Sequence, residues 1–434
     1  MLQLKAPFLK KRHLIRLKYL LIVLLVLVAL IVFGMVLFQL VPQRWSNGGR
    51  LAATVSVLFG LSGILIGAVL LILALKISET RHLGDLLSSA YEKRVLNKGP
   101  KIVVIGGGTG LAALLRGLKN YTSHLTAVVA VTDDGGSSGR LRNEFGILPP
   151  GDIRHCLTAL ADREPLMEQL FQYRFGKGSG LAGHNFGNLF ITAMTDITGD
   201  FELAIKQSSR VLAIRGQVLP STLDKVVLAA ELEDDSIIGG ESLIGKVDRR
   251  IRRVYLVPAN PSPPGEVVDA IMAADAVIMG PGSLFTSVLP NLLVPDVLKA
   301  VRTTSALRIY VMNIMTQPGE TRHFVASDHV KAIHSHCGPG LIDTVVVNTE
   351  EIEDAVRERY LSECAVPVYL DREALAKEDV KIVTGSYLSK SNYARHDSAV
   401  LAAELMNMID LDRLKNKRGR NLFRNWHFSK LFKR

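Results

Sequence analysis

Apolar positions follow two different rules along this chain. Residues 19–41 and 51–75 are runs of 23 and 25 positions without a charged residue. A helix needs about 20 such residues to cross a hydrocarbon core, so each run predicts a transmembrane span. From residue 101 the rhythm changes. Short β-branched runs stand at 101–105, 126–131, 252–257, 276–279, 308–314 and 344–347, each reading as a strand buried on both faces. Helical patterns occupy 111–119, 152–161, 266–274 and 327–337. Alternation of this kind predicts an α/β domain, a Rossmann-like and mostly parallel sheet wrapped on both sides, with ligands at the carboxyl ends of its strands. The stretch from 165 to 250 is less regular and reads as helical and small β insertions.

The nine residues between the apolar runs, PQRWSNGGR, are turn-forming and carry an interfacial Trp45, so the spans predict a tight hairpin. Gly60, Gly63 and Gly67 fall near one face of the second span and would allow close helix contact. A cleaved leader followed by one anchor is the rival reading, but the first run is too long and no small-x-small cleavage site follows it. Lys5, Lys10, Lys11, Arg12, Arg16 and Lys18 precede the first span, and Lys76, Arg81, Lys93 and Arg94 follow the second. That bias places both termini and the main domain in the cytoplasm, on a two-helix cell-membrane anchor. The predicted order is a basic segment (1–18), a transmembrane hairpin (19–75), a polar connector (76–100), the α/β body (101–410) and a basic aromatic tail (411–434).

Composition agrees with a folded body, at 48% hydrophobic and 21% charged. The net charge of +11 would suggest nucleic acid if it covered that body. It does not. Residues 1–18 hold six Lys/Arg and residues 413–434 hold nine, neither with an acid, while the chain between them carries 37 basic and 41 acidic side chains. No nucleic-acid partner is expected. The tail interleaves its charge with Leu422, Phe423, Trp426, Phe428, Leu431 and Phe432, a pattern suited to the inner membrane surface. Cys156, Cys337 and Cys364 are odd in number and widely spaced, which disfavours a disulfide framework and a zinc site.

Candidate chemistry clusters just after strands. KIVVIGGGTGLAALLRGL runs from a strand through Gly106, Gly107, Gly108, Thr109 and Gly110 into a helix, whose N–H groups and positive end favour a phosphate; a tight turn that binds nothing is the alternative. Leu111 breaks the dinucleotide fingerprint, and the Walker lysine is missing. In AVVAVTDDGGSSGRLR, Asp133 and Asp134 could hold Mg²⁺ against a diphosphate or bind a ribose hydroxyl, or one of them could cap the turn. Ser137, Ser138 and Arg140 could add phosphate donors. Asp152 reads as a helix N-cap. GLAGHNFGNLF offers Asn188 at a helix start, with His184 more naturally structural. No His/Cys cluster supports a transition metal. Gly280, Pro281, Gly282 and Ser283 end another strand and form a second phosphate-friendly turn.

Taken together, GGGTGLAALLRGLK, TDDGGSSGRLR, PPGDIRHCLTALAD, GHNFGNLFITAMTDITGDF, IRGQVLP, MGPGSLFTSVLPNLLV and MTQPGET resemble the gluconeogenesis-factor branch of the CofD-like, or 2-phospho-L-lactate transferase-like, proteins over residues 101 to 400. The resemblance implies a Rossmann-like α/β fold, UDP-sugar binding, and a role in cell shape and growth on gluconeogenic carbon. Its ligand site would involve Gly107, Gly108, Thr109, Asp133, Asp134, Asn188, Gly282 and Ser283. The related transferases move a phospholactyl group from a nucleotide diphosphate donor to a deazaflavin hydroxyl with Mg²⁺, but the sequence after the acidic pair differs here. The readings are therefore a membrane-anchored UDP-sugar-binding regulator with a protein partner, a Mg²⁺-dependent transferase using Asp133 or Asp134, and, more remotely, an NAD-type oxidoreductase. A homo-oligomer is compatible with each.

Overall fold

The computed structural model describes residues 94–431 except 163–164, 179, 248 and 391–392, together with Gly60, Gly63 and Gly67, which are helical. The chain divides into two units, Met1–Glu92 and Lys93–Arg434. Apart from those three glycines, the predicted hairpin, the basic segment before it and the connector to residue 93 lie outside the described residues. Among the described residues, no single helix is long and apolar enough to cross a membrane.

In chain order the second unit runs β1 (Ile102–Gly106), α1 (Gly108–Leu118), β2 (Leu125–Val129), α2 (Gly136–Phe145), α3 (Gly151–Leu160), α4 (Pro165–Gln172), α5 (Phe186–Thr198), α6 (Phe201–Val211), β3 (Gln217–Pro220), β4 (Val227–Leu232), β5 (Ile237–Gly239), α7 (Glu241–Ile244) and β6 (Ile251–Val257). It continues through α8 (Gly265–Met272), β7 (Ala276–Met279), a π-helical turn (Leu284–Val288), α9 (Leu289–Leu292), α10 (Pro295–Thr303), β8 (Leu307–Val311), α11 (Ala326–Cys337), β9 (Thr344–Asn348), α12 (Asp354–Ser362), α13 (Arg372–Ala376), β10 (Lys381–Gly385) and α14 (Ser398–Leu431).

Seven strands pair in parallel in the order β10-β9-β8-β7-β1-β2-β3. Every residue of β1, β2 and β7 is buried, as their unbroken apolar sequences require. The chain works outward from β1 to β3, then returns to lay β7 on the other side of β1. That reversal leaves a crevice beyond the carboxyl ends of β1 and β7, the place where open α/β sheets take ligands.

The run at 252–257 departs from expectation. It forms β6, which pairs antiparallel with β4 in a separate three-stranded sheet. Ile251, Val254 and Leu256 are buried while Arg252, Arg253 and Val257 are exposed, so this strand has one wet face rather than two dry ones. β3 and β10 join the parallel sheet without a sequence signal, since each is short and begins on an exposed polar residue.

Helix α14 crosses the boundary at which the tail was expected to begin, and buries Leu401, Ala402, Leu405, Met406 and Ile409. It approaches α1 so closely that a Cβ on Gly117 would overlap the Ser398 carbonyl oxygen and come within 2.8 Å of Ala402 Cβ. Gly117→Val is expected to cost about 2–3 kcal/mol through overpacking, measured as a lower urea midpoint.

On α11, His336 Nε2 accepts from Val254 N at 2.9 Å while Nδ1 donates to the Ala332 carbonyl at 2.6 Å, an arrangement open only to neutral imidazole. Burial lowers its pKa. A lowered folded-state pKa gives stability that is present above the unfolded value and lost as pH falls towards the folded one. The stability advantage of the wild type over His336→Gln should therefore shrink from about pH 7 to about pH 5, read as converging denaturation midpoints.

Candidate functional site

The two glycine turns meet, as their shared sheet edge predicts. A Cβ on Gly110 would stand 2.8 Å from the Pro281 carbonyl oxygen, and one on Gly282 would stand 3.3 Å from that of Gly107. Their donors differ in availability. Helix α1 starts at an extended Gly107 with no side chain capping it, so its first-turn amides present the positive helix end to the crevice. In the second turn the protein supplies its own acceptors. Asn313 Oδ1 accepts from Gly282 N at 3.0 Å, and its Nδ2 donates to the Gly282 carbonyl at 2.9 Å. Gln317 Nε2 donates to Ser283 Oγ at 2.6 Å. Buried Glu320 accepts from Phe285 N at 3.1 Å and Thr286 Oγ1 at 2.9 Å, filling the helix start that the sequence offers to a phosphate. Burial pushes the Glu320 carboxyl up in pKa, against those hydrogen bonds.

Asp133 and Asp134 diverge. Asp133 Oδ1 accepts from Gly135 N at 2.9 Å, whereas Asp134 Oδ1 accepts from Ser242 N at 2.8 Å, at the start of α7. Asp152 does not cap its helix: the cap position of α3 is Pro150, with no side-chain hydrogen bond. Its carboxylate instead lies against Gly107, where a Cβ would collide with Oδ2. Gly151 lies against Ser138, and a Cβ there would come within 3.0 Å of Asp133 Oδ2. The starts of α1, α2 and α3 thus gather around Asp133 and Asp152, and neither α2 nor α3 has a side-chain cap.

Helix α5 joins them. Ser137 Oγ accepts from Asn185 N at 3.2 Å and from Asn188 Nδ2 at 3.2 Å, with His184 Nδ1 at 3.3 Å. Asn185 caps α5 by accepting from Asn188 N at 3.2 Å. Arg154 Nε donates to Asn188 Oδ1 at 2.9 Å. The Asn188 amide is therefore engaged by protein on both sides and positions Arg154 and the serines. Arg140 turns aside, donating to the Ala182 carbonyl at 3.1 Å.

Arg154 is only 5% exposed and forms no ion pair with a carboxylate among the described residues. Burial lowers its pKa to about 10. Across the cluster, burial raises the Asp133 carboxyl, with Asp152 adding to the effect. Glu241, which accepts from Thr132 Oγ1 at 2.8 Å, is driven well up by burial and then by Asp152 and Asp133. Arg154 and Glu241 carry no site signal in the sequence, and Asp152 reads there as a cap. Asn313 and Glu320 belong to NIMTQPGET, a run of polar groups at a further strand end to which the sequence alone assigns no role. On the other flank of α1, a cavity of about 310 Å³ is lined by Thr109, Gly110, Pro281, Asn313, Gln317 and Arg395.

Among the described residues, no group of three or more His, Cys, Asp or Glu side chains is set to hold a metal. Mg²⁺ commonly needs only one or two protein carboxylates beside a substrate phosphate. Asp133, with Asp152 near it, fits that requirement, while Asp134 is turned towards Ser242.

Fold and site together define a doubly wound α/β protein whose switch point collects helix starts around a buried arginine. The chain belongs to the 2-phospho-L-lactate transferase CofD family, whose profile matches residues 102–388. It is 50% identical over 315 residues to the gluconeogenesis factor of Bacillus subtilis, with 72% of this chain covering 99% of that protein. A relative from Nostoc sp. is 50% identical over 358 residues, 79% of this chain and 78% of its own. A crystal structure from Bacillus halodurans, 47% identical, superposes with a TM-score of 0.69 over 71% of this chain and 99% of that one.

Proposed function

We propose that this protein binds a UDP-sugar through its diphosphate at the switch point and acts as a regulator of envelope synthesis, cell shape and growth on gluconeogenic carbon. The observation that carries this reading is Arg154, a buried cation that forms no ion pair with a carboxylate among the described residues, held by Asn188 and His155 beside uncapped helix starts. An unpaired buried charge is costly, and an anionic phosphate would supply both the missing charge and acceptors for the helix amides. The cavity lined by Asn313, Gln317 and Arg395 would take an uncharged end of the ligand, reached over the start of α1. The likeness to the gluconeogenesis factor of Bacillus subtilis supports the metabolic part. The uncharged runs at 19–41 and 51–75 support a membrane anchor with cytoplasmic termini, and the helical basic tail supports a second contact with the membrane surface.

A transferase is the second reading, favoured by Asp133 beside the helix starts and by the family's name. Incubating the full chain with UDP-N-acetylglucosamine and Mg²⁺ separates the two. The regulator returns the nucleotide sugar intact. Steady UMP or UDP release, abolished by Asp133→Asn, would make the protein an enzyme.

A further inference from the structure

A groove of about 740 Å³ runs between the segment that follows β9 and the extended residues 366–370. Helix α12 parts it from the switch-point cavity, because Asp354, Arg357 and Leu361 line the groove while Tyr360 lines the cavity. Those three stand at i, i+3 and i+7, on one face of the helix. A nine-residue helix is marginal by itself and is normally held by burying one side, yet α12 buries none of its residues. Its groove face lacks a cover.

The extended segment is firmly held. Thr316 N donates to the Val366 carbonyl at 2.8 Å, Val368 N donates to the Ile314 carbonyl at 2.9 Å, and Ala326 N donates to the Tyr369 carbonyl at 2.9 Å. Its backbone is fixed while apolar side chains stay open, Tyr369 at 70% exposed and Val366 at 36%, with Leu361 of α12 at 50%. Apolar and aromatic groups on a fixed backbone lose little freedom on binding, and interfaces use them as anchors.

The groove is also negative. Glu350, Glu351 and Asp354 line it against a single cation, Arg357. Glu350 is engaged, accepting from Leu388 N at 3.0 Å, whereas Glu351, Asp354 and Arg357 form no ion pair among the described residues. The bias extends past the lining, since residues 350–363 carry six acidic and two basic side chains. One of those two, Arg359, stands over the Tyr393 ring at 5.5 Å.

We propose that this groove docks an extended segment of a partner protein in which basic and apolar side chains alternate. An extended chain sends successive side chains to opposite sides. Lysines or arginines of the partner would answer Glu351 and Asp354, and the apolar side chains between them would cover Leu361, Val366 and Tyr369. Docking would give the open face of α12 something to bury against. The surface is independent of the UDP-sugar reading.

The test is fluorescence anisotropy of the full chain in phosphatidylcholine nanodiscs, with empty discs as the blank and a short labelled peptide of alternating lysine and leucine as the probe. Saturable binding is expected. It should be about tenfold weaker in Glu351→Gln/Asp354→Asn, which removes two charges, and in Tyr369→Ala, which removes the aromatic anchor. All three side chains are exposed, so the fold should be unaffected, as thermal unfolding would check. Lysine–serine and glutamate–leucine peptides should each bind at least about tenfold more weakly than the probe. Equal binding of the lysine–serine peptide would reduce the groove to a non-specific acidic surface, and equal binding of the glutamate–leucine peptide would remove the charge complementarity; either overturns the proposal. Undiminished binding in either variant, or no binding to the wild type, would overturn it as well. No nucleotide enters these measurements, so failure of the UDP-sugar reading would show separately.

Discussion

Arg154→Met is expected to weaken UDP-N-acetylglucosamine binding by about a hundredfold or more while the protein stays folded. A buried guanidinium facing a phosphate offers two charge-assisted hydrogen bonds, each contributing about 1.5–3 kcal/mol, and 1.4 kcal/mol corresponds to about tenfold in affinity. The effect on folding should be smaller. Asn188 Oδ1 loses its donor, which costs about 1–3 kcal/mol, but the desolvated and unpaired charge is removed as well. Calorimetry reads the first effect and thermal unfolding the second. Arg154→Lys, which keeps the charge but not the planar fork, should fall between wild type and Arg154→Met.

Glu320→Ala is expected to destabilise the fold by about 3–5 kcal/mol, the largest stability effect of a single side chain near the site. Phe285 N and Thr286 Oγ1 would both lose a buried acceptor, at about 1–3 kcal/mol each, and a cavity would remain. Glu320→Gln should cost less, because its amide oxygen replaces one acceptor and burial already disfavours the charged carboxylate. Urea denaturation of the three proteins gives the order directly.

Much of this architecture is legible in the sequence. The unbroken runs IVVIG, LTAVV and AVIM can only be strands dry on both faces, and each becomes a member of the parallel sheet. Glycine turns after β1 and β7 declare their meeting place once the sheet is parallel. Legibility ends where a side chain's partner is distant in sequence. Asp134 faces Ser242, and Glu320 fills the start of the helical segment after β7, contacts that no spacing rule reveals. The same holds for Asn188, whose position at a helix start is visible, while its commitment to Arg154 and Ser137 depends on the packing of α3 and α2 against α5. The β6 run misleads because Val254, Tyr255, Leu256 and Val257 read as an unbroken dry strand, whereas the adjacent Arg252 and Arg253 and the outward Val257 mark a strand with one wet face.

The central claim is that the crevice at the carboxyl ends of β1 and β7, rather than the cavity of about 740 Å³ near Lys101, Gln217 and Glu266 at the opposite sheet edge, receives the nucleotide sugar. Hydrogen-exchange mass spectrometry of the full chain with and without UDP-N-acetylglucosamine tests it most directly. The expected result is slower exchange at residues 107–111, 136–140 and 151–154, where the uncapped helix starts gain acceptors. Protection confined to residues 97–103, 216–218 and 266–273, or no protection at all, would contradict it.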